Sequence, residues 1–356
     1  MTQNDTRRPH RSDMRSRSLD LLRYPLALVV LAVHTCGSSS QAVDAVPWLA
    51  RFVASFLTDQ SVPVYFFIAG YVFFLNVSLT REVYTRKLRN RVRSLLVPYV
   101  LWNVAAFAVV ACYQGGIDSA DTLVRGLGAA LIGTSGAPGG LVFPADSPMW
   151  FVRDLMVMGV AAPALAWLFR HTGAWCVVAA GIIWALPATR HWGGWQLQEA
   201  AFFFSWGAWM SHGSRDMMAE FRRMRIPSLV AYPAAATGTL VLAPTHPQAA
   251  FWCKTAAIVA GLYFAYNAAA ACVERGHMQW ASRLAPAAFF VYCSHVILLP
   301  PAGSLWLKVV TPSTPAAAAL FLALKAATVA ALSTAAFFAM RRYAPRVLAP
   351  FVGGRV

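Results

Sequence analysis

Charged residues are scarce in this sequence. They make up 12% of its 356 residues, against about 25% in an average soluble domain, which needs them to cover its surface. That shortage excludes the two or three soluble domains that length alone would suggest. Acidic residues are scarcer still, with 14 Asp and Glu against 30 Lys and Arg and a formal net charge of +16. Such a balance can mark a nucleic-acid binder, because basic patches neutralise phosphates. Here the cations fall in short clusters between apolar runs, as loop charges do, so nucleic acid is not an expected partner. Cysteine is limited to Cys36, Cys112, Cys176, Cys253, Cys272 and Cys293, with no CxxC pair. Neither a disulfide framework nor a zinc site follows from that pattern, and no metal is expected. Also missing are a phosphate-binding GxxxxGK[ST] loop, a GxSxG nucleophile elbow and an HExxH zinc helix. The first apolar run begins near Leu19 and ends without a small-residue cleavage pattern, so no cleavable signal peptide is expected.

What the sequence does have is apolar length. Hydrophobic residues make up 58%, mean hydropathy is +0.53, and several runs exceed the ~18 residues that would span a bilayer. The expected fold is all-α, a polytopic transmembrane helical bundle. Ten spans are predicted, at 19–37, 61–79, 95–114, 148–169, 174–189, 197–212, 226–243, 251–272, 285–304 and 315–339. Residues 1–18, Arg-rich and polar, read as a disordered basic cytoplasmic tail, 19–340 as the transmembrane domain, and 341–356 as a short basic cytoplasmic tail. The stretch Trp48–Leu57 reads as an amphipathic half-helix leading into the second span. Leu123–Ile132, interrupted by Gly126 and Gly128 and followed by Gly133, is too short and Gly-rich for a span and reads as re-entrant or interfacial. With both termini cytoplasmic, the inner side holds the clusters Arg81–Arg93 and Arg215–Arg225, Arg170, Arg275, Arg283 and Arg341, Arg342, Arg346 and Arg355. The outer side keeps scattered cations such as Arg51, Arg125, Arg190 and Lys308. That asymmetry is the positive-inside pattern.

Ionisable residues inside spans cost about 2.5 kcal/mol or more at the helix centre, so each asks for a reason. Arg23 and His34 lie eleven residues apart in the first span. At 100° and 1.5 Å per residue they share one face, about 16 Å apart along the axis. Asp20, three residues before Arg23, can pair with it. A neutral imidazole at position 34 can take a proton from a substrate hydroxyl near neutral pH. A second intramembrane histidine, His295, sits at similar depth. Arg86, Arg89 and Arg93 recur at i, i+3 and i+7, a cationic helix face suited to a ligand with several phosphates. Arg153 and Asp154 are neighbours at the outer end of the fourth span and should pair with other helices, because adjacent helical residues do not face each other. Glu199 begins the sixth span on the same side. Two buried histidines would also suit the proton relay of a transporter, and that alternative stays open on these residues alone.

Five stretches in order resemble the acyltransferase 3 family of bacterial membrane proteins. They are Leu19-Asp20 with Arg23 and His34; Val62-Pro63-Val64-Tyr65-Phe66-Phe67-Ile68-Ala69-Gly70-Tyr71; the basic helix ending Ser94-Leu95-Leu96-Val97-Pro98-Tyr99 with Trp102-Asn103; Pro148-Met149-Trp150-Phe151-Val152-Arg153-Asp154-Leu155; and the run ending at His295. Two positions depart from the pattern. Ala69 stands where the family commonly has Ser, and Tyr24-Pro25 follows Arg23 where Gly is frequent, so Pro25 should perturb the helix. No appended extracytoplasmic hydrolase-like domain is expected.

The resemblance implies O-acyl transfer, usually of acetyl, from cytoplasmic acetyl-CoA to a hydroxyl of a glycan or glycolipid in the cell (inner) membrane. Acyl-CoA is then a donor substrate and no cofactor is bound permanently. Under that implication His34 is the general base, with Arg23 and Asp20 beside the donor path. Arg86, Arg89 and Arg93 hold the CoA phosphates, and Arg153, Asp154, Glu199 and His295 contact substrate.

Overall fold

The computed structural model describes residues 11–113, 126–128, 130–132, 144–189, 196–212 and 215–355, and the regular structure among them is helical throughout. The principal helices are α1 (Arg11–Gly37), α2 (Ser61–Phe74), α3 (Arg81–Arg91), α4 (Val97–Tyr113), α5 (Trp150–Thr172) and α6 (Trp175–Ala185). They continue as α7 (Leu197–Ser211), α8 (Arg225–Leu242), α9 (Pro247–Glu274), α10 (Ala288–Leu307), α11 (Pro315–Tyr343) and α12 (Pro345–Phe351). Helices are what a bilayer permits, because each backbone N–H and C=O must find its partner within the segment.

Seven helical segments are long and apolar enough to cross a membrane: Met14–Gly37, Pro47–Phe74, Arg81–Cys112, Ser147–Thr172, Pro247–Glu274, Gln279–Leu307 and Pro315–Tyr343. The other three predicted spans coincide with α6, α7 and α8, of 11, 15 and 18 residues. Trp48–Leu57 is a short helix, Pro47–Phe52, followed by a π-helical turn, Val53–Thr58, that leads into α2. Residues 126–128 and 130–132 of the Gly-rich stretch are helical, and the rest of that reading lies outside the described residues, as do residues 1–10.

One expectation is corrected. Helix α1 begins at Arg11, so residues 11–18 are not a disordered tail. Met14 is buried, Ser18 Oγ donates to the Met14 carbonyl at 2.8 Å, and Arg15 donates to the Tyr71 hydroxyl at 3.0 Å, which ties this turn to α2. The expected perturbation at Pro25 does not break α1, which runs through it. Neighbouring helices hold that turn: Tyr65 of α2 donates to the Arg23 carbonyl at 2.7 Å, and the Tyr24 hydroxyl pairs with Thr334 of α11 at 2.7 Å. Residues 341–355, read as a short basic tail, carry helix of their own. Helix α11 runs to Tyr343, and α12 folds back with Leu348 and Val352 fully buried.

Helix α1 packs against α9, α10 and α11, while α8 pairs with α9 and α2 with α7. The α2–α7 pair depends on two glycines. A Cβ on Gly70 would lie 2.0 Å from the Phe204 carbonyl oxygen, and one on Gly207 would lie 2.0 Å from that of Phe67. Small residues let the two backbones touch, which is the main route to close packing where lipid removes the hydrophobic drive. Gly70→Ala or Gly207→Ala is expected to lower stability by about 1–3 kcal/mol, the usual penalty for overpacking. A thermal melt in detergent checks this. An unchanged midpoint would mean that the helices separate without cost.

Candidate functional site

Two features converge on α1, one at each end. At the Arg17–Arg23 end is a cavity of about 650 Å³. Its walls come from α1, α2, α5 and α10, the turn after α3 and the segment beyond α12. Arg17, Arg23, Arg91 and Arg355 bring four guanidinium groups to the lining, against the single carboxylate of Asp20. Asp20 and Arg23 pair at 3.0 Å, as the i, i+3 spacing predicts, and both remain about half exposed. The rest of the lining is largely apolar, including Ile68, Ala69, Val72, Leu155 and Phe289. Ala69 thus presents a methyl to the cavity at the position where the family pattern has a hydroxyl. An apolar cleft with a cationic mouth suits a ligand with an anionic head and a thin, uncharged arm.

The structure puts Arg91 at this cavity and leaves Arg86, Arg89 and Arg93 exposed and outside its lining. The physical reason is which face of α3 packs inward: Lys87 and Arg91, at i and i+4, face α2, while Arg86 and Arg89 lie on another face of the same unbroken helix. Arg93 falls beyond that helix, in the π-helical turn Val92–Leu96, whose wider winding breaks the 100° register. Arg91 and Lys87 lie over the Phe73 ring at 5.5 and 5.1 Å, which orients this side of α3 toward α2.

At the other end of α1, His34 meets His295 of α10, with ring centroids 5.1 Å apart and planes tilted by 53°. His295 is wholly buried. Its Nδ1–H donates to the Tyr292 carbonyl at 2.6 Å, with the Val291 carbonyl at 3.2 Å. A ring whose Nδ1 carries the proton keeps its lone pair on Nε2, and Nε2 is buried without a hydrogen-bond partner among the described residues. His34 is only partly buried, so it is the member of the pair that a substrate can reach.

The turn after His34 is clamped by a residue that sequence reasoning passed over. Lys325 of α11, 2% exposed, donates from Nζ to the Ser38 carbonyl (3.2 Å), Ser38 Oγ (3.0 Å) and Ser39 Oγ (2.8 Å). Ser38 Oγ in turn donates to the His34 carbonyl at 2.7 Å. A cation at the C-terminal end of α1 is favoured by the helix dipole. The signal was available, since a lone lysine in an apolar run is costly unless it is satisfied. Asp146 was missed as well. It is fully buried, and its backbone N–H donates to Asn103 Oδ1 at 2.9 Å.

The histidine pair does not line the arginine cavity. Tyr292 does, and His295 lies one turn further along α10. Tyr65, Phe151 and Tyr292 line the cavity, with centroids 5.8 Å apart for the first two and 6.1 Å for the last two, and Tyr292 also meets the His295 ring at 6.1 Å.

Arg153 and Asp154 correct the expectation that they pair only with other helices. Arg153 Nε donates to Asp154 Oδ1 at 3.0 Å, and the two side chains are 6% and 0% exposed. The long arginine arm can swing back to its neighbour, which the rule for adjacent helical positions does not cover. Their other atoms do reach out: Asp154 Oδ2 accepts from Gln196 N at 3.1 Å, just ahead of α7, and Arg153 donates to the Ile132 carbonyl at 3.3 Å. Glu199 Oε2 accepts from Trp184 Nε1 at 3.5 Å. These three residues neither line the cavity nor join the histidine pair.

Known proteins decide between the enzyme and the transporter left open by the residues alone. A family model described as an acyltransferase domain matches residues 16–336. The succinoglycan biosynthesis protein ExoH of Rhizobium meliloti (strain 1021) is 25% identical over 316 residues, covering 86% of this chain and 82% of that protein. No solved structure matches the chain. With seven apolar helices long enough to span a bilayer, a cationic cavity and a histidine pair joined by α1, this chain belongs to the acyltransferase 3 family and is a multi-pass membrane acyltransferase.

Proposed function

We propose that this protein moves an acyl group, acetyl by the habit of its family, from acyl-CoA to a hydroxyl of a glycan or glycolipid. The observation that carries the reading is the His34–His295 pair, in which a reachable imidazole faces an unpartnered lone pair. His34 takes the proton of the acceptor hydroxyl as its oxygen attacks the thioester carbonyl. The new C–O bond forms, the C–S bond breaks, and the CoA thiolate leaves and is protonated. In the reacting complex the bare His295 Nε2 would take the His34 N–H and so turn the other His34 nitrogen toward the acceptor, the orienting role that a base needs. The two ends of α1 divide the labour. Donor phosphates meet Arg23 and Arg91 at the cavity mouth, and the pantetheine arm passes the Tyr65–Phe151–Tyr292 rings to cover the ~16 Å to His34. With both termini in the cytoplasm, as the Lys/Arg bias implies, the mouth would open on the side where acyl-CoA is made. The name of the succinoglycan relative supports an exopolysaccharide sugar as acceptor.

The test is transfer of labelled acetyl from acetyl-CoA to lipid and glycan fractions of membranes carrying the protein. Label in a glycan fraction supports the reading, and no label from any of several acyl-CoAs removes it. Within that assay, Arg91→Ala is expected to raise KM for the donor by roughly 10–100-fold, the worth of a charge-assisted hydrogen bond to phosphate. Arg89→Ala should leave KM within about twofold, since that side chain is outside the cavity. Equal effects of the two would return the donor site to the outer face of α3.

A further inference from the structure

We infer that the segment from Pro345 to Arg355, which lies beyond the family match at 16–336, is a strap that sets donor specificity by holding Arg355 against the phosphates of acyl-CoA. The inference rests on the donor reading above and adds a residue from outside the family's own domain.

The strap is built in. Trp102 of α4 donates from Nε1 to the Phe351 carbonyl at 3.0 Å, and the two rings meet edge to face at 5.5 Å. Leu348 and Val352 are fully buried. After α12 the backbone turns through two left-handed glycines, Gly353 at φ +64° and Gly354 at φ +78°. A Cβ on Gly353 would lie 2.5 Å from the Ser94 carbonyl oxygen, so this glycine lets the strap lie directly on the π-helical turn. Gly354 N donates to the Ala349 carbonyl at 2.8 Å, which closes the turn. The result is that Arg355 projects into the cavity lining, its guanidinium 4.8 Å from the Phe289 ring centroid and still accessible.

Beyond the Phe289 ring, the described lining offers Arg355 no counter-charge of its own. Arg355 joins Arg17, Arg23 and Arg91 around one cavity, and the one carboxylate among the described lining residues, Asp20, already pairs with Arg23. Adding a cation to such a group raises mutual repulsion, which an anionic ligand relieves. A phosphate-bearing donor gains from Arg355, whereas a donor with the same thioester and no phosphates does not.

The experiment compares kcat/KM for acetyl-CoA with kcat/KM for acetyl-pantetheine, using the full chain in membranes. In wild type the ratio strongly favours acetyl-CoA. Arg355→Ala is expected to reduce that ratio by on the order of tenfold, through KM for acetyl-CoA. Arg355→Lys should recover part of it, because charge is kept and the bidentate fork is lost. Gly353→Val, which displaces the strap, should reproduce the Arg355→Ala ratio. A wild-type ratio near one removes the donor reading and this inference with it. A large wild-type ratio that Arg355→Ala leaves intact, or an equal loss for both donors, overturns the strap's role alone.

Discussion

His34→Ala is expected to slow acyl transfer by about 10²–10⁴-fold, the usual contribution of a positioned general base, with KM for acyl-CoA little changed. Arg23, at the arginine cavity, and His34 lie about 16 Å apart along α1, so removing the imidazole leaves Arg23 and Arg91 in place. Folding should survive. Among the described residues, the His34 side chain has a ring contact with His295, while the turn that follows it is held through Ser38 and Lys325. Initial rates at matched expression, together with a CoA-displacement assay on the same membranes, separate the two effects. Retained activity with intact donor binding would remove His34 from the chemistry. Lost donor binding would mean that the variant has collapsed the helix rather than the base. His295→Ala should cost less than His34→Ala, because an unoriented base still works part of the time.

Arg153→Ala is expected to destabilise the protein by about 3–5 kcal/mol, the cost of stranding one member of a buried ion pair. Asp154 is wholly buried, and its remaining partner is the Gln196 backbone N–H at 3.1 Å. The pair also ties α5 to the start of α7 and to Ile132. Loss of Arg153 therefore loosens three segments at once. The double variant Arg153→Leu with Asp154→Leu should recover part of the loss, since it removes both charges and keeps apolar volume. The measurement is a thermal melt in detergent alongside the transfer assay. If Arg153→Ala instead left the melt unchanged and raised KM for the acceptor, the pair would be a substrate contact, as the sequence reading had it.

The contrast between these residues marks how far each kind of reasoning reaches. The Asp20–Arg23 pair and the common face of Arg23 and His34 follow from 100° per residue within one unbroken helix, so they were legible from spacing. The same arithmetic put Arg86 and Arg89 on one face of α3, but packing turns the Lys87–Arg91 face toward α2 and so brings Arg91 to the cavity. Arg93 alone is displaced by the π-helical turn at Val92–Leu96, which nothing local in the sequence announces. Lys325 was legible as a lone charge in an apolar run, but its three hydrogen bonds to Ser38 and Ser39 were not.

By itself, the sequence determined the membrane class, the helical content and the family, because composition and short ordered motifs are local properties that survive without knowledge of neighbours. Tertiary structure alone decided which histidine faces His34, which arginines share a cavity and where the strap after α11 ends. Those outcomes depend on helices distant in the chain touching at single points. His295 reaches His34 because α1 and α10 pack together, and Arg355 reaches the arginine cavity because Gly353 can lie against Ser94. Hydropathy in a bilayer says that a helix is buried in lipid. The choice of its partners rests on small-residue contacts, polar pairs and shape, which periodicity does not encode.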